Sequence, residues 1–278
     1  MIKLPSEKLK PVLIALDLDD TLLTNELTIG PQTVKALQEC AARGIYIVPC
    51  SGRAENGILP FVRVLNIAGT QAGRFIIAMN GSTIFDLHKR ETIYSRKVNA
   101  DVLTFAYEEA VKRGFACQVY NSDTTFANID NEFSRMDAKL CHLNLKVVDD
   151  FKSFLQTGHT KMLIPGKENE VAEFQKFLSK ELGEKAVVFT SKPYFLEIMP
   201  PNVGKGEAIE YLCQYLQIPL ERAMSFGDSM NDETMIRMCG LSVGMVNGLE
   251  YIQNCAKYVT RLSNNEDGIG DFLNEYVL

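Results

Sequence analysis

Three carboxylates and a hydroxyl follow directly on a short apolar segment near the start of the chain. Residues 12–16 are all apolar, which predicts a short buried strand, and Asp17, Asp19, Asp20 and Thr21 come next. Asp17 and Asp19 are two residues apart, so in an extended segment their side chains lie on the same side. Two anions held together repel each other unless a cation lies between them. Mg²⁺, which prefers oxygen ligands, is the cation we expect.

Taken alone, this short pattern fits a solvated acidic loop equally well. Further polar groups favour chemistry, because they also follow predicted strands or open a predicted helix: Ser51, Lys205, Asp228, Asn231 and Asp232. In an open α/β sheet, ligands bind at the carboxyl ends of the strands. A nucleophilic carboxylate, an acid, a hydroxyl, an ammonium and a metal at that edge would form a phosphoryl-transfer site.

The elements that must position these groups alternate between strand and helix. A strand at 12–16, a helix from Pro31 to Gly44, a strand at 45–50, a helix at 55–65 and a strand at 74–79 predict a parallel sheet with helices on both faces. The alternation resumes after residue 205, with helices at 205–216, 231–238, 249–256 and 269–276 and strands at 222–226, 241–245 and 258–260.

The middle of the chain has a different texture. Short alternating segments at 92–96, 115–120, 125–129, 143–148 and 160–164, and a hairpin at 187–199, surround two amphipathic helices at 99–113 and 168–182. This pattern is typical of a small α+β domain. We therefore predict a doubly wound parallel α/β core at 1–84 and 195–278, with an inserted α+β cap at 85–194.

Composition excludes several classes of protein. The 278 residues are 46% hydrophobic and 23% charged, with a formal net charge of −6 and no long basic run, which argues against a nucleic-acid partner. No apolar stretch has the length of a membrane span, and the first ten residues, with four charges, do not resemble a signal peptide. We expect a cytoplasmic protein that is a monomer or a weak homo-oligomer and binds no membrane.

Cysteine and histidine usage argues against other kinds of site. The seven cysteines are scattered without a CxxC pair, so we expect small core residues rather than disulfides or a zinc site. The three histidines, His88, His142 and His159, lie far from the acidic motifs, which gives a histidine-based triad little support.

In four motifs the chain resembles the haloacid dehalogenase superfamily of aspartate-nucleophile phosphatases, and in its cap position the Cof-type branch. The motifs are Asp17-Leu-Asp19-Asp20-Thr21, Cys50-Ser51-Gly52-Arg53, Val203-Gly-Lys205-Gly206 and Gly227-Asp228-Ser-Met-Asn231-Asp232; the tail Asn265-Glu-Asp-Gly268 also has the family pattern. Asp20 fills a position that often holds glycine, and Asn247-Gly248 stands where the family often has Asn-Ala. We expect no consequence from either difference.

The resemblance implies a role for each motif residue. Asp17 is the nucleophile, and Asp19 is the general acid and base. Mg²⁺ is held by the Asp17 carboxylate, the Asp19 backbone carbonyl and Asp228. The phosphate oxygens are bound by Lys205, Ser51, the Asn231 amide and the backbone N–H groups of Leu18 and Gly52. Asp232 holds Lys205 or a metal-bound water.

For several of these residues a structural role is the alternative. Ser51 and Asp228 can each be a helix N-cap, and Lys205 a solvated residue of a first helical turn. Arg53 reaches a substrate or the cap, or pairs on the surface. Asn80 is a turn residue at the hinge into the cap, or less readily a ligand group.

The sequence as a whole predicts a Mg²⁺-dependent phosphatase that acts on a small phosphorylated metabolite, such as a sugar phosphate or a flavin or pyridoxal phosphate. The alternatives are a sugar phosphomutase that uses the same aspartates, or a non-catalytic phospho-ligand-binding or signalling protein. A dehalogenase would have no use for Asp19 or the metal ligands.

Overall fold

A computed structural model describes residues 3–141 and 143–278 of the chain. Two compact units are present. The first runs to Gly52 and continues in Ile58–Tyr94 and Gly204–Leu278, and the second comprises Arg53–Gly57 and Ser95–Val203. His142, one of the three histidines considered above, lies outside the described residues.

Residues 3–95 contain five strands and two helices. In chain order they are β1 (Leu13–Leu16), α1 (Pro31–Ala42), β2 (Tyr46–Pro49), α2 (Glu55–Leu65), β3 (Phe75–Ala78), β4 (Thr83–Asp86) and β5 (Glu91–Ser95). All of these elements belong to the first unit except the start of α2 at 55–57 and the last residue of β5, Ser95. The helix α2 has the bounds predicted from the sequence.

The second unit contains the next group of helices and strands. They are α3 (Ala100–Lys112), β6 (Gln118–Tyr120), β7 (Thr124–Ala127), α4 (Glu132–Leu140), β8 (Asn144–Val147), α5 (Phe151–Phe154), β9 (Met162–Pro165), α6 (Glu168–Leu182), β10 (Val187–Lys192) and β11 (Phe195–Met199). Asn99 caps α3 by accepting a hydrogen bond from the Asp101 N–H at 2.8 Å.

The chain then completes the first unit. Its last elements are α7 (Lys205–Leu216), β12 (Ala223–Gly227), α8 (Glu233–Met238), β13 (Leu241–Gly244), α9 (Glu250–Cys255), β14 (Tyr258–Val259) and α10 (Gly268–Tyr276).

A parallel sheet of five strands forms the centre of the first unit, in the order β14-β13-β12-β1-β2. Leu16 at the end of β1 pairs with Pro49 on one side and Phe226 on the other, so three strands reach the same edge together. A bridge between Cys50 and Ile77 links this sheet to a second one, β3-β4-β5, in which β3 and β4 are antiparallel.

Helices cover both faces of the parallel sheet. Leu13 on one face belongs to a buried cluster with Ile209 of α7 and Met235 of α8. On the other face, Phe226 meets Phe272 of α10 edge to face, with ring centroids 5.6 Å apart. Because successive residues of a strand point to opposite faces, this largely apolar sheet is covered by two helical layers, and the predicted doubly wound core is confirmed.

The second unit is built on a six-stranded mixed sheet, in the order β10-β11-β9-β6-β7-β8. Helices α3 and α6 cover one face, where Leu103 and Phe174 pack with Val119 and Ile198. Helix α4 packs against β7, β8 and β9. This arrangement of helices against a mixed sheet is the predicted α+β architecture.

Between α4 and the sheet the second unit buries a group of charged and polar side chains. Lys161 Nζ donates to Glu197 Oε2 at 3.1 Å and lies 5.1 Å from the centre of the Tyr120 ring. The Tyr120 hydroxyl donates to Asp137 Oδ2 at 2.8 Å. All four side chains are at least nine-tenths buried, and their mutual contacts compensate the cost of removing them from water.

Three of the helices and strands named above were not predicted, for different reasons. Helix α5 is a single turn of four residues. Strand β4 is only four residues long. The buried face of α4 carries Ser134 and Asp137 beside Ala138, so the helix has no apolar stripe to reveal it. The strand predicted at 92–96 is β5, which lies in the first unit's second sheet. The boundaries between the two compact units, at 94/95 and 203/204, therefore lie later in the chain than the predicted boundaries at 84/85 and 194/195.

No helix among residues 3–141 and 143–278 is long and apolar enough to cross a membrane. None of the seven cysteines forms a disulfide in the described part of the chain, and five of them are buried.

Candidate active site

The ends of neighbouring parallel strands bring the polar motifs to one edge of the core sheet. Asp17 follows β1, Ser51 follows β2, and Asp228 follows β12. The Asp17 N–H donates to the Phe226 carbonyl at 3.1 Å, which continues the pairing of β1 with β12 by one residue. The sheet register thus places these residues side by side, at the edge where parallel sheets bind their ligands.

Lys205 joins two of the carboxylates. Its Nζ donates to Asp17 Oδ1 and to Asp232 Oδ1, the latter at 2.6 Å. Lys205 and Asp232 are fully buried and Asp17 is 4% exposed. A buried ammonium needs such partners, because an isolated charge away from water is very unfavourable. Lys205 is therefore not a solvated residue of a first helical turn.

Asp228 is fixed from two directions. Thr21 Oγ1 donates to Asp228 Oδ1 at 2.8 Å, and the Asp228 N–H donates to Asp232 Oδ2 at 2.8 Å. Asp232 Oδ2 also accepts from the Ser229 N–H at 3.1 Å. Ser229, not Asp228, is the N-cap of the short turn Met230–Asp232, so capping does not explain the acid at 228.

The electrostatics of this cluster show an excess of negative charge. Burial, followed by the nearby Asp232 carboxylate, raises the pKa of Asp17 well above its ordinary value, although Lys205 acts in the opposite direction. Burial and Asp232 likewise raise the pKa of Asp228 to about 7, against the effect of the Thr21 hydrogen bond. Burial lowers the pKa of Lys205, but Asp17 and Asp232 outweigh it and the net shift is upward.

The donor set fits a divalent cation. Carboxylate oxygens of Asp17, Asp228 and Asp232 lie within 4.8 Å of one another. Lys205 is the one ammonium bonded to these acids within the part of the chain that the structure describes, and it contacts Asp17 and Asp232. The raised pKa values of Asp17 and Asp228 indicate that more positive charge would stabilise their ionised forms. A hard cation such as Mg²⁺ suits these oxygen donors.

Asp19 lies in a tight turn, Leu18–Leu22, directly after the nucleophile candidate. Asp19 itself is extended (φ −69°, ψ 129°), whereas Asp20 is left-handed (φ 62°, ψ 6°). The Leu22 N–H donates to the Asp17 carbonyl at 3.2 Å, and the Leu23 N–H donates to the Leu18 carbonyl at 2.8 Å. These bonds fold the chain back over Asp19.

Ser51 and Asn231, two predicted phosphate-binding residues, are connected through Asn80. The Asn80 N–H donates to the Ser51 carbonyl at 2.9 Å, and Asn231 Nδ2 donates to Asn80 Oδ1 at 3.1 Å. A β-carbon at Gly52 would lie 2.9 Å from Asn80 Oδ1, so glycine permits this approach. The turn predicted at Asn80 is present, but it leads into β4 of the same unit rather than out of it.

Two further alternatives do not hold. Helix α2 begins at Glu55, too far along the chain for Ser51 to be its N-cap. Arg53 is 8% exposed and lies in the segment Arg53–Gly57 of the second unit, so it is a buried residue rather than a surface one.

Sequence reasoning missed several residues that hold the site. It gave no role to Thr21, although this is the threonine of the first motif. It treated Gly248 as a substitution without consequence, yet a β-carbon there would lie 2.7 Å from the Asp228 carbonyl oxygen. It also gave no role to Asn247, whose Nδ2 donates to the Asp20 carbonyl at 2.8 Å. Only the family's Asn-Ala pattern pointed to these last two positions.

The sequence profile of the haloacid dehalogenase-like hydrolases matches residues 14–273. This match covers nearly the whole chain, and the chain therefore belongs to that family. The predicted family, the fold class and the assignment as a hydrolase are confirmed.

Relatives in both sequence and structure extend over almost the full length. A haloacid dehalogenase-like hydrolase from Bacteroides thetaiotaomicron is 28% identical, with a TM-score of 0.87 over 96% of this chain and 99% of its own. A Thermotoga maritima protein is also 28% identical, with a TM-score of 0.80 over 97% and 98% of the two chains. The 5-amino-6-(5-phospho-D-ribitylamino)uracil phosphatase YitU of Bacillus subtilis (strain 168) is 27% identical over 277 residues, which are 96% of this chain and 98% of that protein.

Proposed function

We propose that this hydrolase is a Mg²⁺-dependent phosphatase that cleaves a small phosphorylated metabolite through a phosphoenzyme on Asp17. The observation that carries the proposal is the buried group of Asp17, Lys205, Asp228 and Asp232 at the carboxyl edge of the parallel sheet. A carboxylate nucleophile beside a fixed ammonium and two further acids suits the transfer of a dianionic phosphoryl group.

In the first step an Asp17 carboxylate oxygen attacks phosphorus, and the bond from phosphorus to the ester oxygen breaks. Asp19 gives its proton to the departing alkoxide, which leaves as an alcohol. In the second step Asp19 takes a proton from water, and the resulting hydroxide attacks phosphorus. The bond from phosphorus to Asp17 breaks, inorganic phosphate leaves, and Asp17 is a carboxylate again.

Fixed positive and polar groups stabilise the charge on the transferring group. Lys205 balances charge on the phosphate oxygens from its position between Asp17 and Asp232. Ser51, the Gly52 and Leu18 N–H groups and the Asn231 amide would bind the same oxygens. Mg²⁺, held by Asp17, Asp228 and the Asp19 carbonyl, would neutralise charge repulsion between the nucleophile and the phosphate when bound.

The substrate class that we propose is the phosphate ester of a sugar, a sugar alcohol or a related metabolite. The relative YitU is named for a substrate that carries a phosphorylated ribityl chain, which is an alkyl phosphate. An alkoxide is a poor leaving group, so this class needs the acid that we assign to Asp19. We assign the choice among substrates to the inserted α+β domain.

A phosphate-release screen over phosphorylated metabolites, with and without EDTA, tests the proposal. We expect release from one or a few alkyl phosphates, loss of activity in EDTA and recovery on addition of Mg²⁺. Asp17→Asn should be inactive on every substrate, and Asp228→Ala should lose turnover and metal dependence together. Full activity of Asp228→Ala in EDTA would refute the metal assignment, and an isomerised sugar phosphate without free phosphate would indicate a mutase.

A further inference from the structure

Two asparagine side chains from outside the four motifs hold the backbone of the loop that carries Asp19. Asn247 Nδ2 donates to the Asp20 carbonyl at 2.8 Å, and Asn264 Nδ2 donates to the Leu23 carbonyl at 2.9 Å. The two asparagines are joined to each other, since Asn247 Oδ1 accepts from the Asn264 N–H at 3.0 Å. Asn264 is buried, whereas Asn247 is exposed.

The backbone at this point needs to be held. Asp20 has φ 62° and ψ 6°, in the left-handed region that is unfavourable for a residue with a side chain. Such strain persists only where surrounding contacts impose it. The turn's own hydrogen bonds use the carbonyls of Asp17 and Leu18. The Asp20 carbonyl is instead bound by Asn247, which fixes the peptide plane next to the strained torsions.

The loop that carries Asn247 is itself well anchored. Gln253 Nε2 donates to the carbonyls of Met245, Val246 and Gly248, at 3.2, 2.9 and 2.9 Å. The Leu249 N–H donates to the Asp228 carbonyl at 2.8 Å. One short loop after β13 thus contacts the backbone of Asp228 and, through Asn247, the backbone of Asp20.

We propose that Asn247, supported by Asn264, is a positioning residue for Asp19. The Asp20 carbonyl belongs to the peptide between Asp20 and Thr21, and the torsions of Asp20 link that peptide to the one that follows Asp19. Release of the Asp20 carbonyl therefore frees the backbone next to Asp19 and loosens the orientation of the Asp19 side chain. Asn247 touches neither substrate nor the reacting atoms in this assignment. The inference rests on the proposed function, in which Asp19 is the general acid and base.

The test compares Asn247→Ala, Asn247→Asp and the control Asn265→Ala. Asn247→Asp keeps the acceptor for the Asn264 N–H and removes the donor to Asp20. Asn265 Oδ1 accepts from the Asn25 N–H at 2.9 Å, so the control removes a hydrogen bond to the same loop farther from Asp19. For each full-length protein we would measure kcat/KM on an alkyl phosphate and on nitrophenyl phosphate, and amide hydrogen exchange by NMR.

We expect both Asn247 variants to lose about tenfold or more in kcat/KM on the alkyl phosphate and much less on nitrophenyl phosphate, whose phenolate leaves without a proton. The amides of Leu22 and Leu23 should exchange faster, while the control matches the wild type in rates and in exchange at both amides. A purely structural role of Asn247 would lower kcat/KM equally on both substrates, and that result would overturn the inference.

The exchange measurement separates this inference from the proposed function. If the wild-type protein releases phosphate from no ester, the proposed function fails, and faster exchange at Leu22 and Leu23 in the Asn247 variants still shows that Asn247 holds the loop. Unchanged exchange in those variants would overturn the inference whatever the activity.

Discussion

Gly248→Ala should damage this protein, although the added group is a single methyl. A β-carbon at residue 248 would lie 2.7 Å from the Asp228 carbonyl oxygen, 2.8 Å from its α-carbon and 2.9 Å from its β-carbon. Because two of these atoms are backbone, no side-chain rotation relieves the contact. Either Asp228 or the loop at 245–249 must move.

The size of the movement follows from the contacts. Ordinary van der Waals contact for a β-carbon begins at 3.4 Å, so the methyl and the carbonyl oxygen must separate by about 0.7 Å. Overpacking of this kind costs about 1–3 kcal/mol of stability. Mg²⁺ requires near-ideal geometry at about 2.0–2.1 Å from its ligands, and a misplacement of about 1 Å can lower a rate by about 10²-fold. We therefore expect Mg²⁺ affinity and kcat to fall by about tenfold or more.

Urea denaturation and Mg²⁺-dependent phosphate release measure the two effects. Gly69→Ala is the matched control, because a β-carbon there meets nothing within 4 Å; its stability should change by less than about 0.5 kcal/mol. If Gly248→Ala behaves like this control in both assays, the contact with Asp228 is not as described. If it loses stability but keeps full Mg²⁺ affinity, the coupling of this loop to Asp228 as the proposed metal ligand is wrong.

Four further substitutions address the charged groups. Asp17→Asn should abolish turnover on all substrates. Asp19→Asn should lose about 10²–10⁴-fold in rate on an alkyl phosphate, yet with nitrophenyl phosphate it should give a rapid nitrophenolate burst and trapped phosphoenzyme. Stopped-flow absorbance with acid quench would show whether a burst occurs, and its absence would contradict the role of Asp19. Lys205→Met should cost about 3–5 kcal/mol in urea denaturation, because it leaves buried carboxylates without their ammonium; a change below about 1 kcal/mol would contradict this. Asp86 is buried, and although burial raises its pKa, the Arg74 hydrogen bonds and neighbouring N–H groups hold that pKa below its ordinary 3.8. The contribution of Asp86 to stability is therefore present above pH 3.8 and lost as the pH falls through the lowered pKa. Asp86→Asn should destabilise the protein more at pH 7 than at pH 3. An equal loss of stability at both pH values would exclude the ion pair with Arg74 as the cause.

Much of the core and its site could be predicted because each element has a local signal. The strand before Asp17 is a continuous apolar run, and the helix that begins at Lys205 has a regular apolar period. Parallel strands bring their carboxyl ends to one edge, so Asp17 and Asp228 could be expected together without knowledge of any distance. The match of these motifs to a family supplied their order and roles.

The contacts that hold the site in place have no local signal. Asn80 binds Asn231 across 151 residues of sequence, and a lone asparagine before glycine looks like any turn. The strain at Asp20 and the lack of space at Gly248 depend on backbone torsions and approaches that residue types alone do not specify. Helix α4 was not predicted because its buried face is polar, whereas helices are recognised in a sequence by their apolar periodicity.

The charged side chains buried between α4 and the sheet have a consequence for how the second unit folds. Glu197 lies opposite Leu163 where β11 pairs with β9, between Leu196 and Ile198, which point into the apolar layer under α3 and α6. If β11 slipped by one residue, Glu197 would enter that layer and lose Lys161, leaving an unpaired buried charge. An apolar pair would tolerate the slip far better. We therefore expect the Lys161–Glu197 pair to fix the register of β11, because it disfavours misaligned pairing during folding whatever its net contribution to the stability of the correct sheet.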